Sequence, residues 1–321
     1  MHILLLFLDG VGIGDADPDT NPFMAAALPA LHGLLGVSPL TREVVPHHAQ
    51  RASVVGIDAT LGVDGTPQSG TGQASLLTGA NAVAVHGRHF GPWVPARLQS
   101  RVRDESVLAQ AVQAGHRVAF ANAYPEEVLA AVPVPSDAPP LDGRVRRPPQ
   151  FLRAGPPLAA LGAGLLTRHS GALAAGDAVA SEITNDGWRE RLGRTELPTV
   201  TAAEAGRNLA RITAQHELTL FAHYATDYVG HRGDFAGAVA ALERVDAFLG
   251  GILDGVTDDT LIVIVSDHGN IEDVRGGHTR NPALGIVIGP GHELLARRLK
   301  DLTDVTPAIM DLLALRLVRE A

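Results

Sequence analysis

The sequence contains no cysteine among its 321 residues. Disulfides, thiolate metal ligands and a cysteine nucleophile are therefore excluded, and any metal ion must be held by oxygen and imidazole nitrogen. Aromatic residues make up only 4% of the chain, which argues against a surface built to stack bases or sugars. The net charge of −9 repels a phosphate backbone at long range, so we expect no nucleic-acid partner. A small phosphorylated substrate needs only local positive charge and stays possible.

Apolar runs long enough to cross a membrane are also lacking. The first run, residues 3–8, has no basic segment before it and no cleavage site after it. We interpret this run as a buried strand and not as a signal peptide. The expectation is a cytoplasmic protein with no membrane partner.

Strand-length apolar runs recur along the chain and alternate with helical patterns. The runs are residues 3–8, 116–123, 218–227, 260–267 and 284–289, and the helical patterns are residues 106–115, 201–216, 234–253 and 304–315. Unbroken apolar runs are typical of parallel strands covered on both faces. The alternation predicts an α/β fold with a mostly parallel sheet sandwiched by helices. We predict a single domain over residues 1–321, in which the proline-rich stretch from 125 to 198 is a small cap-like insertion.

Three of the predicted strands end in an aspartate, and histidines accompany two of these acids. The candidate metal ligands are Asp9, Asp227, His231, Asp267, His268 and His278. Ligands of open α/β sheets gather at the carboxyl ends of the strands. Six oxygen and nitrogen donors suit two divalent ions, which together can clamp the attacking and leaving oxygens of a phosphoryl transfer. The alternative is that each aspartate is an ordinary cap or turn residue.

A candidate nucleophile lies in the glycine-rich stretch of residues 64–79. Here Ser69 and Thr71 stand before an apolar helical turn, where backbone N–H groups near Gly70 and Thr71 favour an anion. Either hydroxyl is a candidate nucleophile. The alternative is an ordinary capped loop.

The stretch that follows, residues 81–95, is expected to lie near the cleft. Arg88 is a candidate partner for a substrate phosphate. Asn81, His86 and His89 are further candidate contacts, with loop packing as the alternative. Residues 182–193 are predicted either to line the cap or to form a surface helix with Trp188 packed against the core.

Five motifs, taken in order, resemble those of one enzyme family. They are LFLDGVGIG, TDYVGHRGD, SDHGNIED, GGHTRNP and DVTPAIMDLL. The sequence resembles the metalloenzyme branch of the alkaline phosphatase superfamily, and within it the cofactor-independent phosphoglycerate mutases and the phosphopentomutases. The resemblance covers about the first 125 and the last 125 residues.

The resemblance implies two divalent ions, Mn²⁺ or Zn²⁺. It implies that one ion is held by the nucleophile together with Asp9, Asp267 and His268, and the other by Asp227, His231 and His278. In the mutases the nucleophile stands four residues before a histidine, whose place is taken here by Gln73. This count favours Ser69 over Thr71 and makes Gln73 a candidate substrate contact.

The mutases also carry a large inserted domain that keeps water from the phosphoenzyme, whereas the insertion expected here is small. A small cap favours transfer of the phosphoryl group to water. We therefore expect a two-metal phosphatase or phosphodiesterase that acts on a small phosphorylated metabolite through a phosphoserine or phosphothreonine. The alternatives are a phosphomutase of the same fold and a metal-binding module without activity. A sulfatase is disfavoured because its C/S-x-P-x-R motif is absent.

Overall fold

The computed structural model describes residues 1–130 and 149–320, so part of the predicted insertion, residues 131–148, lies outside the described residues. The strands within the described ranges are β1 (His2–Leu8), β2 (His47–His48), β3 (Ala52–Ile57), β4 (Val118–Phe120), β5 (Leu218–His223), β6 (Thr260–Val265) and β7 (Ala283–Ile288). They form one sheet in the order β2-β3-β7-β6-β1-β5-β4.

The sheet is mixed, with a parallel half and an antiparallel half. β6, β1, β5 and β4 are parallel, whereas β7 is antiparallel to β6, β3 to β7 and β2 to β3. The predicted α/β fold is confirmed. The expectation of a mostly parallel sheet is correct for the half that contains β1, but residues 284–289 form an antiparallel strand. An apolar run does not encode the direction of its strand, and β2 and β3 were not predicted.

The central strand β1 has apolar side chains on both faces, as its sequence predicts. Ile3, Leu5 and Phe7 belong to one hydrophobic cluster. The alternate residues Leu4 and Leu6 belong to the other. Each fully buried side chain of this size contributes about 1.5–3 kcal/mol, so the strand holds two hydrophobic layers together.

Helices cover both faces of the sheet. They are α1 (Pro29–Leu35), α2 (Ser69–Thr78), α3 (Ala82–His86), α4 (Ala96–Glu105), α5 (Val107–Gln113), α6 (Glu126–Ala130), α7 (Gly155–Gly162), α8 (Ser170–Ala175), α9 (Asp186–Glu190), α10 (Ala202–Thr213), α11 (Ala225–Arg232), α12 (Phe235–Gly255), α13 (His292–Arg298) and α14 (Val305–Glu320). Residues of α2, α4, α5, α7, α13 and α14 pack in the first cluster, and residues of α1, α10 and α12 in the second. No helix within the described ranges has the length and apolar character needed to cross a bilayer.

The four predicted helices are present as α5, α10, α12 and α14. α10 begins with the capping box that its sequence predicts, because the Thr201 side chain accepts from the backbone N–H of Glu204 and the Glu204 side chain accepts from that of Thr201. Such pairs satisfy two backbone donors that a helix start otherwise leaves without partners.

The described part of residues 125–198 divides between two locations. α7 belongs to the helical layer, where Leu158 and Ala159 pack in the first cluster. α8 and α9 instead pack in a small third cluster that includes Leu173 and Trp188. This cluster continues from the end of β4, since Asn122 forms a β-bridge with Val179.

α10 and α12 cross closely because glycines lie at their contact. A Cβ on Gly206 would lie 2.2 Å from the Phe248 carbonyl oxygen, and one on Gly251 would lie 2.0 Å from that of Ala203. The neighbouring Gly250 faces elsewhere, and its Cβ would meet only the Ala30 Cβ at 3.8 Å.

Replacing Gly251 with alanine is expected to lower the free energy of unfolding by about 1–3 kcal/mol, because the two helices must move apart. The matched change Gly250→Ala is expected to raise it by roughly 0.5–1 kcal/mol through better helix propensity. Urea unfolding followed by circular dichroism measures both. Equal effects of the two substitutions would contradict the close helix crossing.

Candidate metal centre and active site

Three aspartates meet at the carboxyl edge of the parallel half of the sheet. Asp9 follows β1 directly, Asp267 lies just beyond β6, and Asp227 lies in the first turn of α11 after β5. β1 pairs with both β5 and β6, so the three strand ends are adjacent. Asp9 and Asp267 are buried, and Asp227 is largely so.

This cluster of carboxylates is electrostatically unfavourable without a cation. Burial, together with the nearby charges of Asp267 and Asp227, raises the pKa of Asp9 well above its usual value. Burial also raises the pKa of Asp267, against the opposing effect of His268. Burial acts to raise the pKa of Asp227 too, but the hydrogen bond from His278 and the nearby His268 outweigh it and hold that pKa at about 2. The Oδ1 atom of Asp9 is buried and has no hydrogen-bond partner within the described residues.

Two histidines present ring nitrogens to these acids. The Nε2 atom of His268 lies 3.4 Å from Asp9 Oδ1 and 3.6 Å from Asp267 Oδ2. The Nε2 atom of His278 lies 3.4 Å from Asp227 Oδ1, while its Nδ1–H donates to the Pro67 carbonyl at 2.9 Å. A histidine that donates one ring N–H to a carbonyl leaves the other nitrogen free as a metal ligand. Burial lowers the pKa of His268, which keeps its ring in the neutral form that ligation requires.

The six predicted ligands therefore lie together, with one difference in grouping. In each of two groups the candidate ligand atoms lie within 4.8 Å of one another: Asp9, Asp267 and His268 in one, and Asp227, His268 and His278 in the other. His268 belongs to both groups. The predicted ligand His231 lies beside the second group, with its Nε2 3.0 Å from His278 Nε2 and 3.4 Å from Asp227 Oδ2. The donor chemistry and the orphaned oxygen of Asp9 fit divalent metal binding.

The two candidate nucleophiles occupy different environments. Ser69 begins α2, and its Oγ lies 3.0 Å from His268 Nε2. Thr71 is fully buried two residues on, where its Oγ1 accepts from the backbone N–H of Phe90 at 3.1 Å. The backbone N–H of Thr71 donates to the Phe90 carbonyl at 2.9 Å and is therefore not available to a ligand, contrary to the expectation. The structure thus brings Ser69, and not Thr71, to the metal-ligand cluster.

Gln73 is engaged with the metal-ligand residues, although it was predicted as a substrate contact. Its Nε2 donates to Asp9 Oδ2 at 3.2 Å and to Asp267 Oδ2 at 3.1 Å. Its Oε1 accepts from the backbone N–H of Gly155 at 2.8 Å, which ties the cluster to the start of α7. Gln73 thus helps to fix the orientation of both carboxylates, and the Oδ1 atom of Asp9 is left to face His268.

Gly70 allows a close approach of two segments. A Cβ at this position would lie 2.1 Å from the Trp93 carbonyl oxygen, so only glycine lets the segment that carries Trp93 pack against α2. Gly70 was predicted as a substrate contact, but this packing gives it a structural role beside Ser69.

The remaining predicted substrate contacts lie away from the cluster. Asn81 caps α3, since its Oδ1 accepts from the backbone N–H of Ala84 at 2.9 Å. His86 accepts from Arg97 at 2.9 Å, and Arg88 is exposed. The Nε2 atom of His89 lies 3.1 Å from a backbone carbonyl. The cavity beside the cluster is lined by none of Asn81, His86, Arg88 and His89. The charged tip of this segment turns to solvent, and its nearby Pro92 and Trp93 line the cavity instead.

Two buried residues that support the ligands were not predicted. Asn270 donates through Nδ2 to Asp227 Oδ1 at 2.6 Å. The Glu272 carboxylate accepts from the backbone N–H groups of Gly12 and Asn270, both at 2.8 Å, and from the hydroxyl of Thr279 at 2.5 Å. Glu272 thereby joins the loop after β1 to the loop between β6 and β7, which also carries His278. The sequence signal was the polar N-x-E triplet after the predicted strand, but burial cannot be read from it.

A cavity of about 650 Å³ opens on the cluster. Its lining residues come from α2, the 92–93 segment, the end of β4 and the described insertion, and from α11. They are Asp9, Ser69, Gln73, Pro92, Trp93, Ala123, Tyr124, Pro125, Val128, Phe151, Ala154, Ala180, Ser181, Glu182, Gly187, Trp188, Arg191, Leu192, Tyr224, Asp227, Tyr228 and His231. Residues 182–193 were predicted either to line the cap or to form a surface helix with Trp188 packed against the core. Both descriptions apply, since Trp188 packs in the third cluster and also lines this cavity.

Comparison with known proteins supports this reading of the fold. Residues 194–317 match the model of the Metalloenzyme superfamily. A stretch of 126 residues is 34% identical to the 2,3-bisphosphoglycerate-independent phosphoglycerate mutase of Desulforudis audaxviator and covers 37% of this chain and 25% of that protein. A stretch of 118 residues is 36% identical to the mutase of Thermomicrobium roseum and covers 32% of this chain and 22% of that protein. The matches span about a quarter of the length of these relatives.

A solved structure resembles the chain over nearly its whole length. The PH0037 protein of Pyrococcus horikoshii matches with a TM-score of 0.53 at 14% identity and covers 97% of this chain and 96% of that one. The fold is that of the alkaline-phosphatase-like metalloenzymes, as the resemblance of the motifs predicts. The superfamily match and the two ligand groups together imply divalent metal ions.

A divalent ion is expected to stabilise the protein, because it neutralises the buried acids. Adding Mn²⁺ to about a hundredfold excess over Kd should raise the melting temperature by about 5 °C. In the presence of a chelator, Asp9→Asn should be at least as stable as the wild type, because it removes one of several buried like charges. With Mn²⁺ present, it should lose most of the rise in melting temperature that the wild type shows. Differential scanning calorimetry measures both effects.

The matched control for this prediction is Asp246→Asn. Asp246 is also buried, but its carboxylate caps α1 by accepting from the N–H groups of Ala30 and Leu31. Its replacement should lower the melting temperature with and without Mn²⁺ and leave the gain unchanged. A full Mn²⁺ response in Asp9→Asn would exclude Asp9 as a ligand.

Proposed function

We propose that the protein is a two-metal phosphatase or phosphodiesterase that uses Ser69 as its nucleophile. The observation that carries this proposal is the 3.0 Å contact between Ser69 Oγ and His268 Nε2, because His268 belongs to both ligand groups. Ser69, Asp9 and Asp227 all face the same cavity, so a bound phosphate ester can reach the hydroxyl and the ligand cluster together.

The metal centre of this proposal is built from the residues that the sequence singled out. Two ions, Mn²⁺ or Zn²⁺, would be held by Asp9, Asp267 and His268 and by Asp227, His231 and His278. When bound, they supply positive charge that favours the serine alkoxide and stabilises the leaving oxygen. No separate histidine base is needed.

The chain's own groups position the reactants. Ser69 stands at the first position of α2, a ten-residue helix whose N-terminus favours the negative charge of a phosphate. The Ser69 hydroxyl loses its proton to solvent, a bond forms between Oγ and phosphorus, and the ester P–O bond breaks. The leaving oxygen takes a proton from water. A second water then attacks the phosphoserine, which releases inorganic phosphate and restores the hydroxyl.

Access of water to the site supports hydrolysis. The side chain of His231 is 49% exposed, and Tyr228 and Leu192 at the cavity rim are also exposed. A phosphoryl group on Ser69 is then open to attack by water. The second candidate is a phosphomutase, which the similarity to phosphoglycerate mutases favours.

Ser69→Ala is expected to reduce phosphate release from p-nitrophenyl phosphate by about 10³-fold or more, because the nucleophile is removed. Acid quenching followed by mass spectrometry should detect a phosphoryl group on the peptide containing Ser69 in the wild type only. Thr71→Ala is the matched control. It should retain activity within about tenfold and lose about 1 kcal/mol of stability through its missing hydrogen bond to Phe90. The opposite ranking of the two variants would make Thr71 the nucleophile.

The hydrolytic outcome is tested with Mn²⁺-loaded protein and a panel of phosphorylated metabolites. We expect free phosphate to accumulate at the rate at which the ester disappears, because water reaches Ser69. ³¹P NMR distinguishes inorganic phosphate from an isomerised ester in one sample. Isomerisation without release of phosphate would replace the phosphatase with the phosphomutase.

A further inference from the structure

The scarce aromatic residues of the chain are concentrated at one place. The whole sequence has two tryptophans and three tyrosines. All five line the cavity beside the ligand cluster, together with one phenylalanine. These residues, which we call the aromatic wall, are Trp93, Tyr124, Phe151, Trp188, Tyr224 and Tyr228.

The aromatic wall contains flat surfaces that are already stacked. The rings of Tyr124 and Phe151 lie nearly parallel, with an interplanar angle of 9° and centroids 6.0 Å apart. Tyr124 also stacks on Phe120 behind it, at 6.2 Å. Pro92, Pro125, Val128 and Leu192 extend the apolar surface between the rings. Such a wall suits a planar apolar group.

Positive charge is scarce around the same cavity. Of its described lining residues, Arg191 is the single lysine or arginine, and its guanidinium is paired with the Glu182 carboxylate. A carboxylate or a second phosphate on a substrate therefore finds no free guanidinium or ammonium among the described lining residues. Burying such a group without a partner is unfavourable. The lining thus disfavours a small, multiply charged ester.

We infer that the substrate is a phosphate ester whose leaving group carries an aromatic ring. This inference rests on the proposed function, because it assumes that the phosphate lies at Ser69. The ring then lies against the aromatic wall. Burial of a ring there is expected to raise kcat/KM about ten- to hundredfold over the same ester without the ring.

The test compares ethyl phosphate with 2-phenylethyl phosphate in the Mn²⁺-loaded enzyme. Both release an alkoxide of similar basicity, so a difference in kcat/KM reports binding of the ring and not leaving-group reactivity. We expect 2-phenylethyl phosphate to be favoured at least about tenfold. Comparable kcat/KM values, with phosphate released from both, would overturn the aromatic substrate class and leave the hydrolase intact.

A second measurement does not depend on turnover. Both tryptophans line the cavity, so intrinsic fluorescence reports its occupancy. Titration with 2-phenylethylphosphonate should change the emission at concentrations at least about tenfold lower than ethylphosphonate requires. If neither ester is hydrolysed but this preference is found, the hydrolase fails and the aromatic-binding cavity stands. Equal binding of the two phosphonates overturns the inference.

Matched substitutions separate the aromatic wall from general effects. Phe151 and Leu192 line the cavity and are 40% and 52% exposed, so truncation should spare the core. Phe151→Ala and Leu192→Ala should each lower the preference for 2-phenylethyl phosphate about threefold or more. Leu294→Ala, at a leucine that is 76% exposed on α13 and outside the cavity lining, should leave the preference as in the wild type. An unchanged preference in both cavity variants would place the ring elsewhere and contradict the inference.

Discussion

Negative charge confined at the carboxyl edge of the sheet is the constraint on which this site depends. β1 lies between β5 and β6, so the three strand ends bring Asp9, Asp227 and Asp267 together whether or not a cation is bound. Buried like charges raise one another's pKa values and oppose folding unless a counter-charge is supplied. Burial lowers the pKa of His268. Burial acts to lower that of His278 too, but Asp227 outweighs it and raises the pKa, and the two rings complete a set of donors around the acids. The same carboxylates that destabilise the metal-free protein are the candidate metal ligands, so an ion bound there would couple stability to chemistry through one group of atoms.

The clustering of the candidate ligands was predictable because their signals are local. An acid at the end of an apolar run indicates the end of a strand. A histidine four residues after an acid lies on the same face if the segment is helical, and neither inference requires knowledge of the fold. The role of Gln73 was not predictable in this way. It depends on α2 placing the side chain beside both Asp9 and Asp267, and on the backbone N–H of Gly155, which donates to the Gln73 amide oxygen. Glu272 is similar, since it joins the loop after β1 to the loop between β6 and β7, which is distant in the sequence. The direction of β7 could not be predicted for a different reason. Its apolar run has the same pattern in a parallel and in an antiparallel strand.

The aromatic residues show how composition and location differ. A content of 4% argues against extensive stacking surfaces. A single wall needs only a few rings, and residues between 93 and 228 supply them from five separate segments. In the sequence alone, each of these residues is typical of a packing residue, and Trp188 does pack in the third cluster. Only the folded chain shows that they share one cavity with Ser69.

In the proposed reaction, two unlike parts of the cavity lining act on the two halves of a phosphate ester. The floor, with Ser69 and the ligand groups, favours the phosphoryl group through charge and hydrogen bonding, and its contribution is strongest where negative charge develops during transfer. The aromatic wall acts on the leaving group through apolar burial, which is nearly the same before and after the P–O bond breaks. These apolar contacts with the leaving group bind substrate and transition state equally. They therefore select which ester binds without accelerating the bond-breaking step. An ester that lacks the ring would then react at the same floor once bound, but would occupy it less often.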